Sequence, residues 1–473
     1  MSAVSRACPL LQTCDIVIQY VTYSSHTRYT KESVGNASLG GRLATSSSHT
    51  VLRAFWLDPD HGIPLRKCRD MALRVRSLLA RGSTLAAATE SLRAQATAFQ
   101  PSALLWLTDG VNAQLLADAM ASCATASIGA VSEAGLIGGG GEHNARRDEV
   151  TAVALAIALP ADEPAAVALP WHSAPDSLPQ LPSEAWEEYA AATPENSPHL
   201  MLLAAPPRAG AFPLERWLGM LDVALPWAKK VGGVTSGSGS ELFVGDRRYD
   251  GGAVGLALQG IDMEARSFQG AVPIGPSYEI TACDGNIVHA LDGRPVGEVL
   301  TDSIERFAAQ PGQSTANLMC GLSVPGRAAA ARGAAADANE SSAHEYVIRA
   351  LLAFSKPHSV LAVGASPDLV SAPGCRLQLF AFSADAARAE MRAGARRMSS
   401  EGLCGGLMVS CAGRGEGLYG EWGVETAELH AALGPDLAVS GLFAGGEIGP
   451  VGQRTFVHTY TTTVGLLRSR CRA

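Results

Sequence analysis

The chain has 473 residues, of which 47% are apolar and only 17% charged, against roughly 25% charged residues in an average globular protein. This length predicts two or three domains with sizeable hydrophobic cores. The formal net charge of −8 argues against nucleic-acid or anionic-membrane partners, and no apolar stretch of about 18 residues predicts a membrane-spanning helix. We therefore expect a soluble, intracellular protein that binds neither nucleic acid nor membrane.

The ten cysteines are scattered and include no Cys-x-x-Cys pair. This distribution predicts reduced, buried thiols rather than a zinc site or a disulfide framework. No metal and no cofactor is predicted.

Residues 1–65 differ in composition from the rest of the chain. The first fifty residues contain two acids against four basic residues, with many serines and threonines, which is typical of an organelle transit peptide. Residues 14–21, however, have the composition of a strand. A cleaved or disordered leader, directing the protein to a plastid or mitochondrion, and a folded segment of a cytoplasmic protein both remain open.

The next elements begin with a helical region predicted from residue 65, interrupted at Gly82. Its second part, residues 84–99, spaces apolar residues by three and four as an amphipathic helix does. A strand (103–107), a helix (114–121), a strand (126–131), a glycine-rich turn and loop ending near residue 143, and a strand (150–159) are predicted to follow.

The same order of elements then occurs twice more. The second copy comprises strand 199–204, a helix starting at Pro213, strand 230–234, turn 235–240 and strand 251–258; the third comprises strand 406–411, helix 424–433, strand 438–444, a glycine turn at 445–450 and strand 456–467. The first two strands of a copy are expected to be parallel, with a right-handed crossover, and the third antiparallel. This predicts an α/β (α+β) fold with mixed sheets covered by helices.

Two less regular regions separate the copies. Residues 160–197 are rich in Pro, Ala and acids and predict a surface linker with a short helix near 183–192. Residues 326–342, mostly Ala, Arg and Gly, indicate an exposed insertion with a composition typical of disorder.

The glycine turns of the third copy contain the candidate binding groups. Arg414 offers a fork of N–H donors that fits a carboxylate, and Glu447 is able to accept an ammonium group, so together they match the two ends of an amino acid. The alternative is that Arg414 is structural and pairs with Glu416, Glu447 or a turn carbonyl.

Five further residues complete the predicted ligand site. Cys411 lies beside Gly413 and Arg414, a setting that favours a lowered thiol pKa, although a packed thiol is the alternative. His458 and Tyr460 are expected to share a strand face and either line the pocket or cap a sheet. Glu133 and Ser236 occupy the corresponding turns of the first two copies, and these turns either converge on one pocket or mark two.

Several short motifs then resemble one family. They are VGGVTS (231–236), GGAVGLAL (251–258), PIG (273–275), DG (284–285), LDGRP (291–295), SCAGR (410–414), GGEIGP (445–450) and HTYT (458–461). The chain resembles the FIST proteins, which implies a FIST N-terminal domain at 66–258 and a FIST C-terminal domain at 259–473. One departure is Gly270-Ala271, where many members have Gly-Cys.

The resemblance implies a sensory module of signal transduction that binds a small polar ligand such as an amino acid. Some relatives include an F-box and act as ubiquitin-ligase adaptors, but residues 1–64 show no F-box pattern. Two alternatives to the sensor remain open: a protein-binding adaptor or scaffold that uses linker 160–197, and a thiol-dependent enzyme that uses Cys411.

Overall fold

The computed structural model describes residues 16–17, 73–144, 149–160, 166–171, 197–206, 212–237, 241–311, 318–323 and 346–469. Most of the predicted leader therefore lies outside the described residues. Within it, strand β1 (Ile16–Val17) pairs antiparallel with Phe354 and Ala353.

The first copy of the repeat is described almost completely. Its elements are β2 (Arg74–Gly82), α1 (Leu85–Phe99), β3 (Ala103–Thr108), α2 (Gln114–Ala121), β4 (Ala126–Val131), β5 (Leu136–Gly138), β6 (Gly141–His143) and β7 (Val150–Ala158). Helix α1 starts where predicted because the Thr84 side chain accepts a hydrogen bond from the Ala87 N–H at 3.2 Å. The predicted helix before Gly82 is wrong over β2, which pairs along its whole length with β7.

The second copy contains β8 (Val167–Trp171), β9 (His199–Ala204), α3 (Leu214–Ala224), β10 (Lys230–Val234), β11 (Leu242–Val244), β12 (Arg247–Tyr249) and β13 (Ala253–Leu258). Strand β8 lies inside the predicted linker 160–197 and pairs antiparallel with β13, so that part of the linker prediction is wrong. The predicted helix at 183–192 and the predicted insertion at 326–342 lie outside the described residues.

The remaining elements complete the third copy and a segment inserted into it. They are β14 (Asp262–Phe268), β15 (Ala271–Asp284), β16 (Ile287–Leu291), β17 (Arg294–Pro295), α4 (Val296–Ala308), β18 (Leu318–Ser323), β19 (Tyr346–Ser355), β20 (Val360–Val363), α5 (Pro367–Val370), β21 (Arg376–Phe382), α6 (Ala384–Arg396), β22 (Leu403–Cys411), α7 (Glu416–Tyr419), α8 (Val424–Leu433), β23 (Ala438–Ala444), β24 (Gly446–Val451), β25 (Arg454–His458) and β26 (Thr462–Arg468).

The three copies form three six-stranded sheets with one common strand order. The orders are β12-β11-β4-β3-β7-β2, β25-β24-β10-β9-β13-β8 and β6-β5-β23-β22-β26-β14. In each sheet the first strand of the copy pairs parallel with the second and antiparallel with the third. The predicted mixed sheets and the predicted repeat are confirmed.

Each copy gives its hairpin to the sheet of another copy. Hairpin β5–β6 follows β4 in the chain but pairs with β23, β11–β12 follows β10 but pairs with β4, and β24–β25 follows β23 but pairs with β10. The predicted turn at 445–450 is therefore wrong from Gly446 onward, where β24 begins. The predicted loop at 138–143 is wrong except at Gly139 and Gly140, which form the turn of the β5–β6 hairpin. The three sheets share one apolar core that includes Leu105, Met201 and Leu407.

Glycine in the second strand of a copy allows the parallel strands to approach closely. A Cβ atom at Gly441 would lie 1.6 Å from the carbonyl oxygen of Met408, and one at Gly232 would lie 1.9 Å from that of Leu202. Both distances are shorter than any van der Waals contact, so these positions require glycine unless the strands move apart.

The inserted segment between β14 and β22 is built around a closed ring of six antiparallel strands. The order is β19-β18-β21-β15-β16-β20, and β20 closes the ring by pairing with both β16 and β19. Its separate apolar core includes Leu300 and Phe307 of α4. Because of this insertion, the edge strand β14 precedes the other strands of the third copy, which begin at β22, by more than one hundred residues.

Candidate functional site

The turns after the second strands of the three copies meet at one place. The Oγ atoms of Ser132 and Ser236 are 3.1 Å apart, and the Glu133 N–H donates to the Ser236 carbonyl at 3.0 Å. Ser132 Oγ also donates to the Phe443 carbonyl at 3.3 Å, and the Gly445 N–H donates to Val234 at 2.8 Å. The structure thus brings together the turns of Glu133, Ser236 and Gly445, one from each copy.

Arg414 lies beneath the surface with 1% of its area exposed, and each of its three guanidinium nitrogens has a hydrogen-bond partner. Nε donates to Glu425 Oε1 at 2.7 Å, Nη1 donates to the Tyr460 carbonyl at 2.8 Å, and Nη2 donates to the Tyr419 hydroxyl at 3.0 Å. Nη2 also forms an ion pair with Glu425. The bond to the Tyr460 carbonyl agrees with the alternative that Arg414 is structural and pairs with a turn carbonyl. Its carboxylate partner, however, is Glu425 and not Glu416 or Glu447.

Glu425 is the residue of this cluster that sequence reasoning missed. It lies in the first turn of α8, is 1% exposed, and accepts hydrogen bonds from Ser410 Oγ at 2.6 Å and Thr462 Oγ1 at 2.7 Å. Burial alone would raise the pKa of this carboxyl, but Arg414 and the two hydroxyls outweigh burial, and the pKa is lowered. We call Ser410, Arg414, Tyr419, Glu425 and Thr462 the Arg414 network.

Glu447 is buried on β24, opposite Gly233 of β10. Its Oε2 atom accepts from the Thr461 N–H at 3.1 Å, while Oε1 has no hydrogen-bond partner in the part of the chain that the structure describes. Burial raises the pKa of the Glu447 carboxyl well above its usual range, against the lowering effects of the Thr461 N–H, Arg414 and the nearby Cys411 thiol. The neutral form is therefore favoured.

Cys411, at the end of β22, is bonded to the same turn, since its N–H donates to the Thr461 carbonyl at 3.0 Å. The residue as a whole is partly exposed, whereas its sulfur is buried. Burial of the sulfur, followed by the neighbouring Glu447 carboxyl, raises the pKa of the Cys411 thiol. The expected lowering of this pKa is therefore wrong, and the thiol form is favoured at neutral pH.

His458 and Tyr460 do not share a strand face, and that prediction is wrong. His458 ends β25, is buried, and bonds through Nε2 to the Gly449 carbonyl at 3.1 Å; burial, with a contribution from Arg349, lowers its pKa to about 3. Tyr460 instead lies in the turn between β25 and β26 with a φ of 55°, and its partly exposed ring contacts Phe382 at 5.3 Å. This turn redirects the chain, so Thr462 faces Glu425.

The predicted site residues thus form two groups. Cys411, Arg414, Glu447 and Tyr460 are joined through the turn 459–461, and His458 lies opposite Glu447 across the β24–β25 pair. Glu133 and Ser236 belong to the junction of the three copies and connect to the third copy through Ser132 and Phe443. Three buried side-chain atoms around this turn have no hydrogen-bond partner among the described residues: Glu447 Oε1, His458 Nδ1 and Thr459 Oγ1.

A separate cleft of about 450 Å³ lies between β14, α6 and the turn of the β24–β25 hairpin. Its lining includes all of β14, Gln269, Glu390, Gly394 and Arg397 from the α6 side, Pro450, Val451 and Gly452 from the hairpin, and Lys229 and Arg468. No predicted site residue lines it. Burial raises the pKa of Glu390, whereas Arg414 and Arg397 act electrostatically to lower it. This carboxyl therefore lines the cleft and also interacts electrostatically with Arg414.

Comparison with known protein families gives two matches. The family model of the FIST N domain matches residues 103–294, and that of the FIST C domain matches residues 298–450. The chain belongs to the FIST family. FIST domains are sensory domains of signal transduction that bind ligands. The predicted boundary of this FIST protein at residues 258–259, between β13 and β14, stays a prediction.

Relatives of this FIST protein occur in mycobacteria. Uncharacterized protein Rv0628c of Mycobacterium tuberculosis (strain ATCC 25618 / H37Rv) is 28% identical over 282 residues, which cover 57% of this chain and 67% of the relative. Uncharacterized protein Mb0898c of Mycobacterium bovis (strain ATCC BAA-935 / AF2122/97) is 27% identical over 276 residues, with the same shares of the two chains. Among the described helices, none has the length and apolar character needed to cross a bilayer.

Proposed function

We propose that this FIST protein is a sensor for a small polar ligand that has an ammonium or similar donor group, with amino acids as the first class to test. The ligand site is the turn 459–461 with Cys411, Glu447 and Tyr460. The observation that carries the proposal is the buried Glu447 carboxyl, whose Oε1 atom has no partner in the described residues. A buried acceptor without a donor costs about 1–3 kcal/mol, and a ligand N–H group would remove that cost.

Access to Glu447 requires movement of the turn that covers it. The Thr461 N–H binds one Glu447 oxygen, and the neighbouring Tyr460 has a left-handed backbone conformation that only a few per cent of non-glycine residues adopt. Ligand binding that moves Thr461 would also move the Tyr460 carbonyl, to which Arg414 is bonded. We therefore assign Arg414 the role of a positioning residue that connects the ligand turn to α8 through Glu425.

The raised pKa of Glu447 supplies a direct signature of such a ligand. An ammonium group stabilises the ionised carboxyl, so binding should release a proton from the fraction of molecules in which Glu447 is protonated. Affinity for a cationic ligand should then increase with pH until Glu447 is ionised in the free protein.

The first experiment is a thermal-shift screen of the purified, folded protein against amino acids, amines and organic acids. A ligand at a hundred times its Kd adds about 2.7 kcal/mol of stability, which such a screen detects. The variant Glu447→Gln should lose the shift produced by an amine-containing ligand, whereas Glu298→Gln, at a 63% exposed position on α4, should keep it. A screen in which no compound stabilises the wild type would overturn the proposal.

The thiol-dependent alternative is not favoured, because burial raises the pKa of Cys411. An adaptor role through linker 160–197 stays a prediction, since most of that linker lies outside the described residues.

A further inference from the structure

Strand β14 is the terminal strand of its sheet, and its free edge lies in the cleft of about 450 Å³. It pairs with β26 on one side only, and all seven of its residues, 262–268, line the cleft. A cleft that follows a whole edge strand offers a row of backbone donors and acceptors to anything placed in it.

The hydrogen bonds of Met263 show which residues face this free edge. The Met263 N–H donates to the Asp262 carboxylate at 2.9 Å, so it points away from β26. In an antiparallel pair, successive residues alternate between facing the partner strand and facing away. The pairing of β14 with β26 has no register shift, so the N–H and C=O groups of Ala265 and Ser267 face the cleft as well.

The Ser267 side chain lies on the face of β14 that packs against β24. Its Oγ atom is buried and has no hydrogen-bond partner in the described residues. It lies on the side of β24, where a Cβ at Gly449 would be 2.5 Å from it. Strand β14 thus has backbone groups that face away from β26 and, on its β24 side, a buried hydroxyl without a partner among the described residues.

The charges of the cleft favour an acidic guest. Glu264 is neutralised by ion pairs with both Arg266 and Arg468. Lys229 and Arg397 are exposed and have no ion pair within 4 Å in the described part of the chain. The two remaining acids are Asp262, which accepts from the Met263 N–H, and Glu390, whose pKa is raised by burial. The lining thus has four basic side chains, those of Lys229, Arg266, Arg397 and Arg468, against three acidic ones, which leaves an excess of positive charge.

We propose that this cleft binds an extended, acidic peptide segment of a partner protein, which pairs with the free edge of β14 as a seventh strand. Backbone hydrogen bonds to Ala265 and Ser267 would hold the main chain, and Lys229 and Arg397 would bind acidic side chains. A peptide fits better than a small anion because the cleft follows seven strand residues, about 20 Å at roughly 3.4 Å per residue. The cleft is distinct from the ligand turn, and this proposal does not depend on it.

The experiment measures binding of a fluorescently labelled hexapeptide of alternating valine and glutamate to the full chain by anisotropy. The variant Ser267→Pro removes an edge N–H that does not belong to the β14–β26 ladder, so we expect a folded protein with binding weakened roughly tenfold. Ser267→Ala keeps the N–H and removes only a hydroxyl that faces β24, so this matched control should bind like the wild type. Arg397→Ala should weaken binding several-fold and reduce its salt dependence, since Lys229 remains.

Two measurements keep the test decisive if Ser267→Pro does not fold. A hexapeptide of the same sequence that is N-methylated at every residue should not bind, and hydrogen exchange of the wild type should show the Ala265 and Ser267 amides becoming protected when the unmethylated peptide is added. The proposal is overturned if the methylated peptide or a valine–lysine peptide binds equally well. Displacement of the peptide by an equal concentration of glutarate would also overturn it, because a small anion would then suffice. So would self-association of the protein through β14, or protection of the Ala265 and Ser267 amides before any peptide is added.

Discussion

Replacing Glu425 by glutamine should destabilise this protein more than any exposed acid-to-amide change. Glutamine keeps the shape of the side chain and an oxygen that can accept from Ser410 or Thr462, but it removes the negative charge opposite Arg414. Both residues are 1% exposed, so water cannot solvate the remaining guanidinium. Breaking a buried ion pair by removing one partner costs about 3–5 kcal/mol.

Urea denaturation at pH 7 measures this cost, and Glu428→Gln is the matched control. Glu428 lies on the same helix, α8, but pairs with Arg392, which is 47% exposed, so its loss should cost at most about 1 kcal/mol. The double variant Arg414→Met, Glu425→Gln should be more stable than the sum of the single variants predicts, because it leaves no unpaired charge.

The pH dependence gives the sign of the same interaction. Because the pKa of Glu425 is lowered in the folded protein, its contribution is fully present above its unfolded pKa near 4.5 and is lost as the pH falls through its folded value. Glu425→Gln should therefore flatten the acid side of the stability curve. A cost under 1 kcal/mol, or one equal to that of Glu428→Gln, would refute the reasoning.

Three other predictions follow from single residues. Because the pKa of Glu447 is raised in the folded protein, its contribution to the free energy of unfolding is greatest below pH 4.5 and decreases as the pH rises towards its folded pKa. In urea melts, Glu447→Gln should therefore be as stable as the wild type at pH 4 and at least as stable at pH 8. Lower stability of the variant at pH 8 would contradict this. Gly441→Ala should lower the free energy of unfolding by at least about 1–3 kcal/mol, because the new methyl group forces β22 and β23 apart. Gly219→Ala is the control: this position in α3 has open space beside it, so thermal melts should show no change or stabilisation by up to about 1 kcal/mol. Cys411 should react with a maleimide more slowly at pH 7.5 than a cysteine in a free peptide, and faster labelling would contradict the raised pKa.

The central strands and helices of each copy were predictable because their residues determine them locally. Helix α2 and strand β4 begin and end where the apolar periodicity places them, as does α8. Three repeated orders of elements also indicated the strand directions, since a crossover helix makes the first two strands parallel.

The exchanged hairpins were not predictable because their form depends on a distant partner. Residues 445–450 contain three glycines and a proline and have the composition of a turn, yet they form β24 because β10 offers a free edge. Strand β2 was taken for a helix for a related reason, since its pairing partner β7 lies about seventy residues further on. Pairing between distant segments overrides local preference in such edge positions.

The candidate site was predictable in its location but not in its pairing. Arg414, Cys411 and Glu447 do lie together, as their glycine-rich turns suggested. Glu425 was not among the predicted site residues, because nothing in the local pattern shows that Ser410 and Thr462 of two other strands surround it. The contacts of this glutamate with the hydroxyls of two strands depend on the tertiary structure, so the local sequence does not predict them.

The most direct test of the sensor proposal is calorimetric titration, in two buffers of different ionisation enthalpy, with the amine-containing ligand that stabilises the protein most in the thermal-shift screen. We expect saturable binding to the wild type with release of a fraction of a proton at pH 7, and loss of both the binding and the proton release in Glu447→Gln. Binding of unchanged affinity and proton balance in Glu447→Gln would show that the ligand does not use this carboxyl, and would contradict the proposed site.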